Sequence, residues 1–434
     1  MSLARDLVKQ ALQEYKVNAS RRRREEIMKY LDYYGGGYTE QYISKYFNID
    51  AFKEVPIYST NITRKFIDKM CRVYTLGAER DVSDVYDSLT KHKNSRMKHI
   101  ERMTNLVGSL ATLVTYDEGN ADFKYKPIYY FDLFFDEMDA MKPEAVLYPL
   151  LTAYEDVSNV NEMDFMYYDS EVIAQYDSDG NVVFEQENPY GVLPFLFTHK
   201  QTQLDNFFVE GACDIINCNE HVNITMTEMQ LGLRFQMFGQ PFATGVYEDT
   251  AITRGGSDTI INLPEGANFG IASPQGDLEK VIEVLKFQIS LVAQNNHMQV
   301  YFEENADRPS SGLALIIKDY ERMEQHKDDI EAYREYEHQL YEIEKAIALA
   351  NGINLPEEFK IKFLQAEYPK SVQEQIAKDN WDLDNGVTSI EDIVMREDKD
   401  VTKDEASKIV EENSGGLNGN NQTEDRAATK EDKV

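Results

Sequence analysis

The sequence is poor in the residues that crosslink a chain or anchor it in a membrane. It has only three cysteines in 434 residues, so we expect Cys71, Cys213 and Cys218 to be reduced thiols. No apolar run reaches the length of about 18 residues that a membrane-spanning helix needs. The opening MSLARDLVKQALQEYK alternates charged and apolar residues, whereas a secretory signal has a continuous apolar segment. We therefore expect synthesis in the cytoplasm and no membrane insertion.

Basic residues are also scarce. The chain has 45 Lys and Arg against 77 Asp and Glu, which gives a formal net charge of -32 at pH 7. Tight binding to a phosphate backbone needs cations that displace counterions, so any contact with DNA is expected to be loose. An acidic surface can still line a channel for DNA, because it repels the phosphates and does not bind the DNA that passes.

The motifs of common enzyme classes are missing. The sequence has no Walker phosphate loop, no G-x-G-x-x-G after a strand, no H-E-x-x-H and no G-x-S-x-G. His326 and His338 fall in a long charged helical pattern without a Cys or Ser placed as a partner. We expect no catalysis, no cofactor and no bound metal.

One group of potential zinc ligands is better interpreted as structural. Cys213, Cys218 and His221 follow each other at helical steps that place them on diverging faces, and no second ligand pair lies nearby. Likewise, Asp177 and Asp179 resemble the start of a calcium loop, but Asn188 stands where a closing glutamate would be needed. With Gly180, this segment predicts a hairpin turn.

Two clusters of charge have alternative interpretations. Carboxylates that could hold magnesium for nuclease chemistry occur at Asp132, Asp136, Glu137 and Asp139. No base or cofactor motif accompanies them, and chance clusters are common among 77 acidic residues. The basic run Arg21, Arg22, Arg23 and Arg24 is followed at once by Glu25 and Glu26. It indicates a solvated helix face, with contact to DNA or an acidic partner as the alternative.

Hydrophobic periodicity divides the first half of the chain in two. Residues 1 to about 105 have helical spacing, broken by the glycines at 35–37 and by Pro56. From Ser109 to His199 the pattern changes to strands of an antiparallel sheet region, with hairpin turns at 117–120 and 177–181.

The second half begins with two long helices around a small module. Apolar residues mark one helix face between 205 and 239, at Phe208, Ala212, Ile215, Val222, Met226, Met229 and Leu233. A loop-rich stretch follows at 240–276. Helical spacing returns over 277–302, at Leu278, Val281, Leu285, Ile289 and Val292. The polar segment 303–312 breaks the pattern, because Pro309 cannot sit inside a helix.

A very long helix is predicted from Leu313 to Ala350, followed by the strand-like FKIKFLQAEY. Its length favours an elongated architecture. Three capping boxes then predict three short helices: Ser371 with Glu374, Thr388 with Glu391, and Thr402 with Glu405. Gly386 is expected to end the first of these helices. From Ser414 onward there is little to bury, and we expect a disordered tail over 414–434. The fold class expected from these patterns is α+β, mainly helical.

Several stretches, in this order, resemble the portal proteins of tailed bacteriophages, the head-tail connector family. They are Tyr33-Tyr34-Gly35 followed by NITRKFIDKMCRVY, then NPYGVLPFLFTHK, DRPSSGLALIIK and DNGVTSIEDIV. The similarity covers most of residues 25 to 413. It implies a wing at 1–204, stem helices at 205–239 and 277–302, a clip at 240–276 and a tunnel loop at 303–312. The long helix and returning strand at 313–371 would rejoin the wing, and 372–413 would form a crown.

The resemblance further implies a ring of about twelve subunits at one capsid vertex of the virion, with head-to-tail contacts that close by rotation. DNA would pass through the ring during packaging and ejection. The partners implied are the major capsid protein, the terminase, head-tail adaptor or tail proteins and a scaffold protein. The residues implied to line the channel are those of the tunnel loop: Glu303, Glu304, Asn305, Asp307, Arg308, Pro309, Ser310, Ser311 and Gly312.

Two other classes of protein compete with this hypothesis. A phage-encoded, metal-dependent DNA-processing enzyme would use the acidic clusters. An acidic scaffold or adaptor protein would act as a small oligomer, although such a protein would not need the long sheet region.

Overall fold

A computed structural model describes residues 19–37, 39–47, 56–136, 138–150, 163–202, 205–238, 240–245, 276–300, 320–364 and 372–397, with short pieces between and up to residue 411. The chain divides into two compact units. The first comprises Met1–Glu304 and Glu321–Gln365, and the second comprises Asn305–Tyr320 and Ala366–Val434. Helices and antiparallel sheets both contribute to the first unit, and the described part of the second is helical.

The first unit opens with helices, as the spacing of apolar residues predicts. They are α1 (Ala19–Gly35), α2 (Thr39–Ser44), α3 (Ile62–Met70), α4 (Asp84–Leu89) and α5 (Lys93–Val107). Gly36 follows α1 with a φ of 79°, a left-handed conformation that glycine adopts at low cost. The prediction of helices alone was wrong at β1 (Ala78–Asp81), which pairs with a strand far along the chain.

The sheet region predicted from Ser109 onward is confirmed and consists of two antiparallel sheets. In the first, β2 (Ser109–Asp117) lies between β3 (Asp122–Ile128) and β9 (Phe195–His199). The second has the order β4 (Asp132–Asp136), β5 (Asp139–Pro149), β6 (Phe165–Tyr168), β7 (Val172–Tyr176) and β8 (Val182–Glu187). Aromatic and aliphatic side chains from β2, β5 and β9 share one buried cluster.

Two long helices follow, joined by a two-stranded ribbon. They are α6 (Cys213–Phe238) and α7 (Leu278–Asn295), with β10 (Gln240–Thr244) pairing antiparallel to β11 (Asn268–Ala272). The first helix begins at Cys213 and not at residue 205, as its apolar spacing had indicated. The reason is tertiary, since Phe207 and Phe208 pack into the aromatic cluster of the sheets instead of continuing the helix.

The predicted very long helix is described from Tyr320 to Ala350 as α8, and residues 313–319 lie outside the described residues. The strand-like segment after it contains β12 (Lys360–Phe363), which pairs with β1. This pairing returns the chain to the opening helices.

A buried network of charges holds α8 against the opening helices. Lys93 donates to both carboxylate oxygens of Glu344 at 2.9 Å, and its ammonium lies 3.3 Å from Glu337. Arg80 forms the second ion pair with Glu337. Three tyrosine hydroxyls complete the network, from Tyr74, Tyr86 and Tyr125. Because two cations balance two carboxylates, burial of these groups leaves no charge uncompensated.

The second unit contains α9 (Val372–Asp384) and α10 (Ile390–Glu397), and residues 405–410 are also helical. Gly386 ends α9 with a φ of 65°, as predicted. The capping pair Thr402 and Glu405 is confirmed, because the Thr402 N–H donates to the Glu405 carboxylate at 3.0 Å. The pair at Ser371 lies outside the described residues.

The remaining capping prediction was wrong by one residue. Ser389 and Asp392 form the box, with the Ser389 N–H donating to the Asp392 carboxylate at 3.0 Å and the Asp392 N–H donating to the Ser389 hydroxyl at 3.2 Å. The N–H of Thr388 instead donates to the Asp382 carbonyl. Thr388 therefore still belongs to the turn that ends α9.

Candidate assembly surface

Helices α6 and α7 pack as an antiparallel pair through the apolar stripe predicted for each. Leu285 of α7 is buried with Cys218 and Val222 of α6, and Ile289 and Val292 pack against the same cluster. Polar contacts join both ends of the pair. Asn296 donates to Asp214 at 2.7 Å, and Gln236 donates to the Gly276 carbonyl at 2.8 Å. We refer to this helix pair as the stem.

A second apolar stripe on α7 faces solvent. Val284, Phe287 and Leu291 follow each other at helical spacing, and they are 54%, 67% and 46% exposed. None of them belongs to the interface with α6, since that interface uses Leu285, Ile289 and Val292. Large apolar side chains on adjacent turns of one helix face are an uncommon surface for a monomer, because leaving them in water forgoes their burial energy.

The exposed apolar surface continues toward the ribbon end of the stem. On α6, Leu233 is 46% exposed and Met237 is 71% exposed. On the ribbon, Phe242 is 50% exposed and Ile271 is 60% exposed. Together with Val284, Phe287 and Leu291, these residues define what we call the stem surface. Sequence analysis identified only Leu233 among them, as part of the apolar face of the first long helix.

A polar stripe of α6 is fully buried. Asn219, Asn223 and Thr227, spaced four residues apart, form a ladder against the segment before α3. Asn223 accepts the Thr60 N–H at 2.8 Å, and Thr227 accepts the Tyr58 N–H at 2.9 Å. These side chains satisfy backbone groups that no strand pairs. The ladder fixes the stem to the segment before α3, and the spacing of Asn and Thr was a signal that sequence analysis did not use.

The tunnel loop, residues 303–312, lies outside the described residues, so its predicted role stays a prediction. Cys213, Cys218 and His221 are described and do not converge, since Cys218 is buried, Cys213 is half-buried and His221 is exposed. Burial raises the pKa of the Cys218 thiol to about 11. Within the described part of the chain, no three His, Cys, Asp or Glu side chains are grouped as metal ligands.

The predicted calcium-like segment is a hairpin turn between β7 and β8. The Asp177 carboxylate accepts the N–H groups of Asp179 and Asn181 at 3.0 and 2.7 Å, and Gly180 has a φ of 81°. Asn188, at the closing position, donates to the Asp169 and Val192 carbonyls. The prediction of a turn is confirmed.

The acidic cluster is dispersed among separate partners. Asp132 pairs with Arg23 at 2.5 Å, and Asp136 pairs with Lys142 at 3.3 Å. Asp139 accepts the Met141 N–H at 2.9 Å. Glu137 lies outside the described residues.

The basic run only partly matches its predicted solvated face. Arg21 and Arg22 form exposed ion pairs with Glu25 and Glu26, at 2.9 and 3.0 Å. Arg23 and Arg24 point inward, and that part of the prediction was wrong. Arg24 is 4% exposed, and the Arg23 guanidinium lies 3.6 Å from the centre of the Phe208 ring. The contacts with the Phe208 ring and with Asp132 together stabilise the Arg23 guanidinium in its partly buried position.

The two histidines of α8 have different surroundings. His338 packs against the ring of Phe359 at 5.0 Å between ring centres. His326 lies at the wall of a polar cavity.

A scan against models of protein families finds no match for the chain, and a search of curated proteins finds none either. No helix in the described ranges is long and apolar enough to cross a membrane.

Proposed function

We propose that this chain is the portal subunit of a tailed bacteriophage, and that the stem surface joins neighbouring subunits of a ring. The observation that carries the proposal is the exposed stripe of Val284, Phe287 and Leu291 on a helix whose other apolar stripe is already used inside the chain. Burying such side chains contributes about 1.5–3 kcal/mol each. Every copy in a ring repeats this gain, because a head-to-tail contact recurs around the axis.

Two further features support a ring around DNA. Several stretches of the sequence resemble portal proteins and occur in the same order along the chain. The formal charge of -32 per subunit suits a channel that repels phosphate, so that DNA slides. In this proposal residues 303–312 form the tunnel loop. The terminase and head-tail adaptors would dock at the ribbon end, and the virion would hold the ring at one capsid vertex.

The decisive experiment measures the size of the assembly and its dependence on the stem surface. Native mass spectrometry and negative-stain microscopy of the purified protein should show rings of about twelve copies, because closed rings saturate every head-to-tail contact. Phe287→Glu should shift the protein to monomers, since a buried unpaired charge costs far more than the contact gains.

Phe184→Glu is the matched control, because Phe184 is also exposed, at 46%, but lies on β8 of the second sheet. Rings that survive Phe287→Glu would contradict the role of the stem surface. Monomers or dimers of the unmodified protein across a range of salt concentrations would contradict the portal proposal itself. Cleavage of linear DNA by the purified protein with magnesium or manganese would favour the competing enzyme.

A further inference from the structure

The outer faces of α3 and α5 carry a cluster of cations, although the chain as a whole is acidic. Arg64 and Lys69 of α3 are exposed, and Lys98 and Arg102 of α5 are partly exposed. Asp68 connects the two helices, because its carboxylate lies 3.1 Å from Arg102 and 3.9 Å from Arg64. It is the one carboxylate on these two outer faces. We refer to the four cationic residues as the basic surface.

The outer face of α8 has the opposite charge. Glu324, Asp328, Glu331 and Glu335 recur at steps of three or four residues, which places them on one face of the helix. All four side chains are exposed, and none of them forms an ion pair with a described residue. We refer to these four residues as the acidic stripe.

Helix geometry places the basic surface and the acidic stripe on opposite sides of the contact between α5 and α8. Lys93 of α5 reaches Glu337 of α8 in the buried network. Arg102 follows Lys93 by nine residues, or about two and a half turns, so it lies on the opposite face of α5. Asp328 precedes Glu337 by the same number of residues, so it faces away from α5. The two charged surfaces of one copy therefore do not meet each other.

A second copy of the chain is the partner that best fits the basic surface. Every copy presents an acidic stripe of complementary charge, and opposite charges across an interface favour one register over others. The basic surface also adjoins the stem, because Ile62 of α3 packs against the cluster of Cys218, Val222 and Leu285. In the proposed ring the stem surface already joins neighbouring copies, so a second contact between them forms at a high effective concentration.

We propose that the basic surface of one copy contacts the acidic stripe of the next copy, an inference that rests on the head-to-tail ring proposed above. Because the two surfaces face in opposite directions, the contact repeats from copy to copy and does not form a symmetric pair. It also opposes the general repulsion between copies, since each has a formal charge of -32. Exposed ion pairs are individually weak, so the contact sets the register and the salt dependence of assembly.

Charge reversal on each surface, alone and combined, tests the contact in the full-length protein. Lys69→Glu with Lys98→Glu reverses part of the basic surface, and Glu331→Lys with Glu335→Lys reverses part of the acidic stripe. Sedimentation velocity measures the assembled fraction over a range of protein concentrations. At low salt each double variant should need about a tenfold higher concentration to assemble. The chain with all four substitutions should assemble like the unmodified protein, because opposite charges again face each other across the contact.

An effect of net charge alone would give a different result. Glu331→Lys with Glu335→Lys makes each copy less negative, which would promote assembly if general repulsion controlled it. Lys126→Glu with Lys362→Glu, at exposed lysines of β3 and β12, matches the basic reversal in charge and should assemble normally. High salt should reduce the differences between the variants, because exposed charges are then screened.

The failure of this contact and the failure of the ring give different results. Rings that form equally well in both double variants would overturn the contact and leave the ring. A folded combined variant that does not recover assembly would show that the two surfaces are not partners. Binding of a short labelled DNA duplex that only the basic reversal abolishes, with assembly unchanged, would assign the basic surface to phosphate. Monomers of the unmodified protein would overturn the ring and this contact together.

Discussion

Helices α7 and α8 depart from the usual distribution of side chains in opposite directions. In α8, Glu337 and Glu344 are fully buried, whereas in α7 the side chains of Val284, Phe287 and Leu291 remain in water. The buried glutamates have their cations and hydroxyl donors in the same unit. Among the described residues of that unit, no side chain buries Val284, Phe287 or Leu291 of α7.

The contrast indicates where each helix finds its partners. The two buried carboxylates of α8 have their counter-charges in the same copy of the chain, so α8 needs no second copy to compensate them. An exposed apolar stripe is tolerated when another surface covers it, so α7 is completed by a second copy in the proposed ring. Three experiments on the subunit test this contrast, and the largest expected effect comes first.

Breaking the buried network should destabilise the subunit most. Lys93→Met leaves Glu344 without its cation and Glu337 with one cation fewer, and the loss should be about 3–5 kcal/mol of unfolding free energy. Burial would raise the pKa of Glu337, but Lys93 and Arg80 hold that pKa well below its usual value. Urea unfolding measures the loss. Lys65→Met, at an exposed position of α3, is the control and should leave the midpoint unchanged.

Two neighbouring residues of α7 should respond very differently to truncation. Leu285 is 6% exposed and Val284 is 54% exposed. Leu285→Ala should cost about 2–5 kcal/mol, because it opens a cavity at the contact with α6. Val284→Ala should change the subunit by less than about 0.5 kcal/mol. Both are measured by urea unfolding in the monomeric Phe287→Glu background, so that assembly does not contribute. Equal losses would show that Val284 packs within the subunit.

The third experiment concerns Glu101, a buried carboxylate that forms no ion pair with a described residue. Burial raises its pKa to about 7, against the opposing effect of the N–H groups of Val73, Arg72 and Tyr74. The unfolded carboxyl titrates near about 4.3. Between these values the folded state binds more protons than the unfolded state, so this group's contribution to stability is present at low pH and is lost as pH rises through about 7.

Urea unfolding at several pH values between about 5 and 8 measures this loss. Glu101→Gln should flatten the pH dependence of the unfolding free energy in that window, because glutamine does not titrate. A slope equal to that of the unmodified protein would show that Glu101 stays ionised. Histidines also titrate in this range, so the comparison is the difference between the two proteins and not the slope of either alone.

Local sequence patterns determined those features whose cause lies within a few residues. The hairpin turn at Asp177 and Gly180 follows from an aspartate that accepts nearby N–H groups and a glycine that tolerates a positive φ. The stripe of Leu285, Ile289 and Val292 follows from helical spacing, as do the two long helices on either side of the loop-rich stretch. The hairpin turn and the helical stripe depend on residues close in sequence, so the rest of the chain does not change these patterns.

Tertiary structure alone decided the features that depend on residues far apart in sequence. Residues 78–81 were predicted to be helical, but they form β1 because they pair with β12, nearly three hundred residues later. Arg23 is not on a solvated face, because its guanidinium pairs with Asp132 and lies over the Phe208 ring. The burial of the charged network and the exposure of the Val284 stripe do not follow from any local pattern. A charge, a hydroxyl or an apolar side chain is buried or exposed according to the residues that the fold places against it. Helical spacing alone therefore does not determine which of two apolar stripes is covered within the chain.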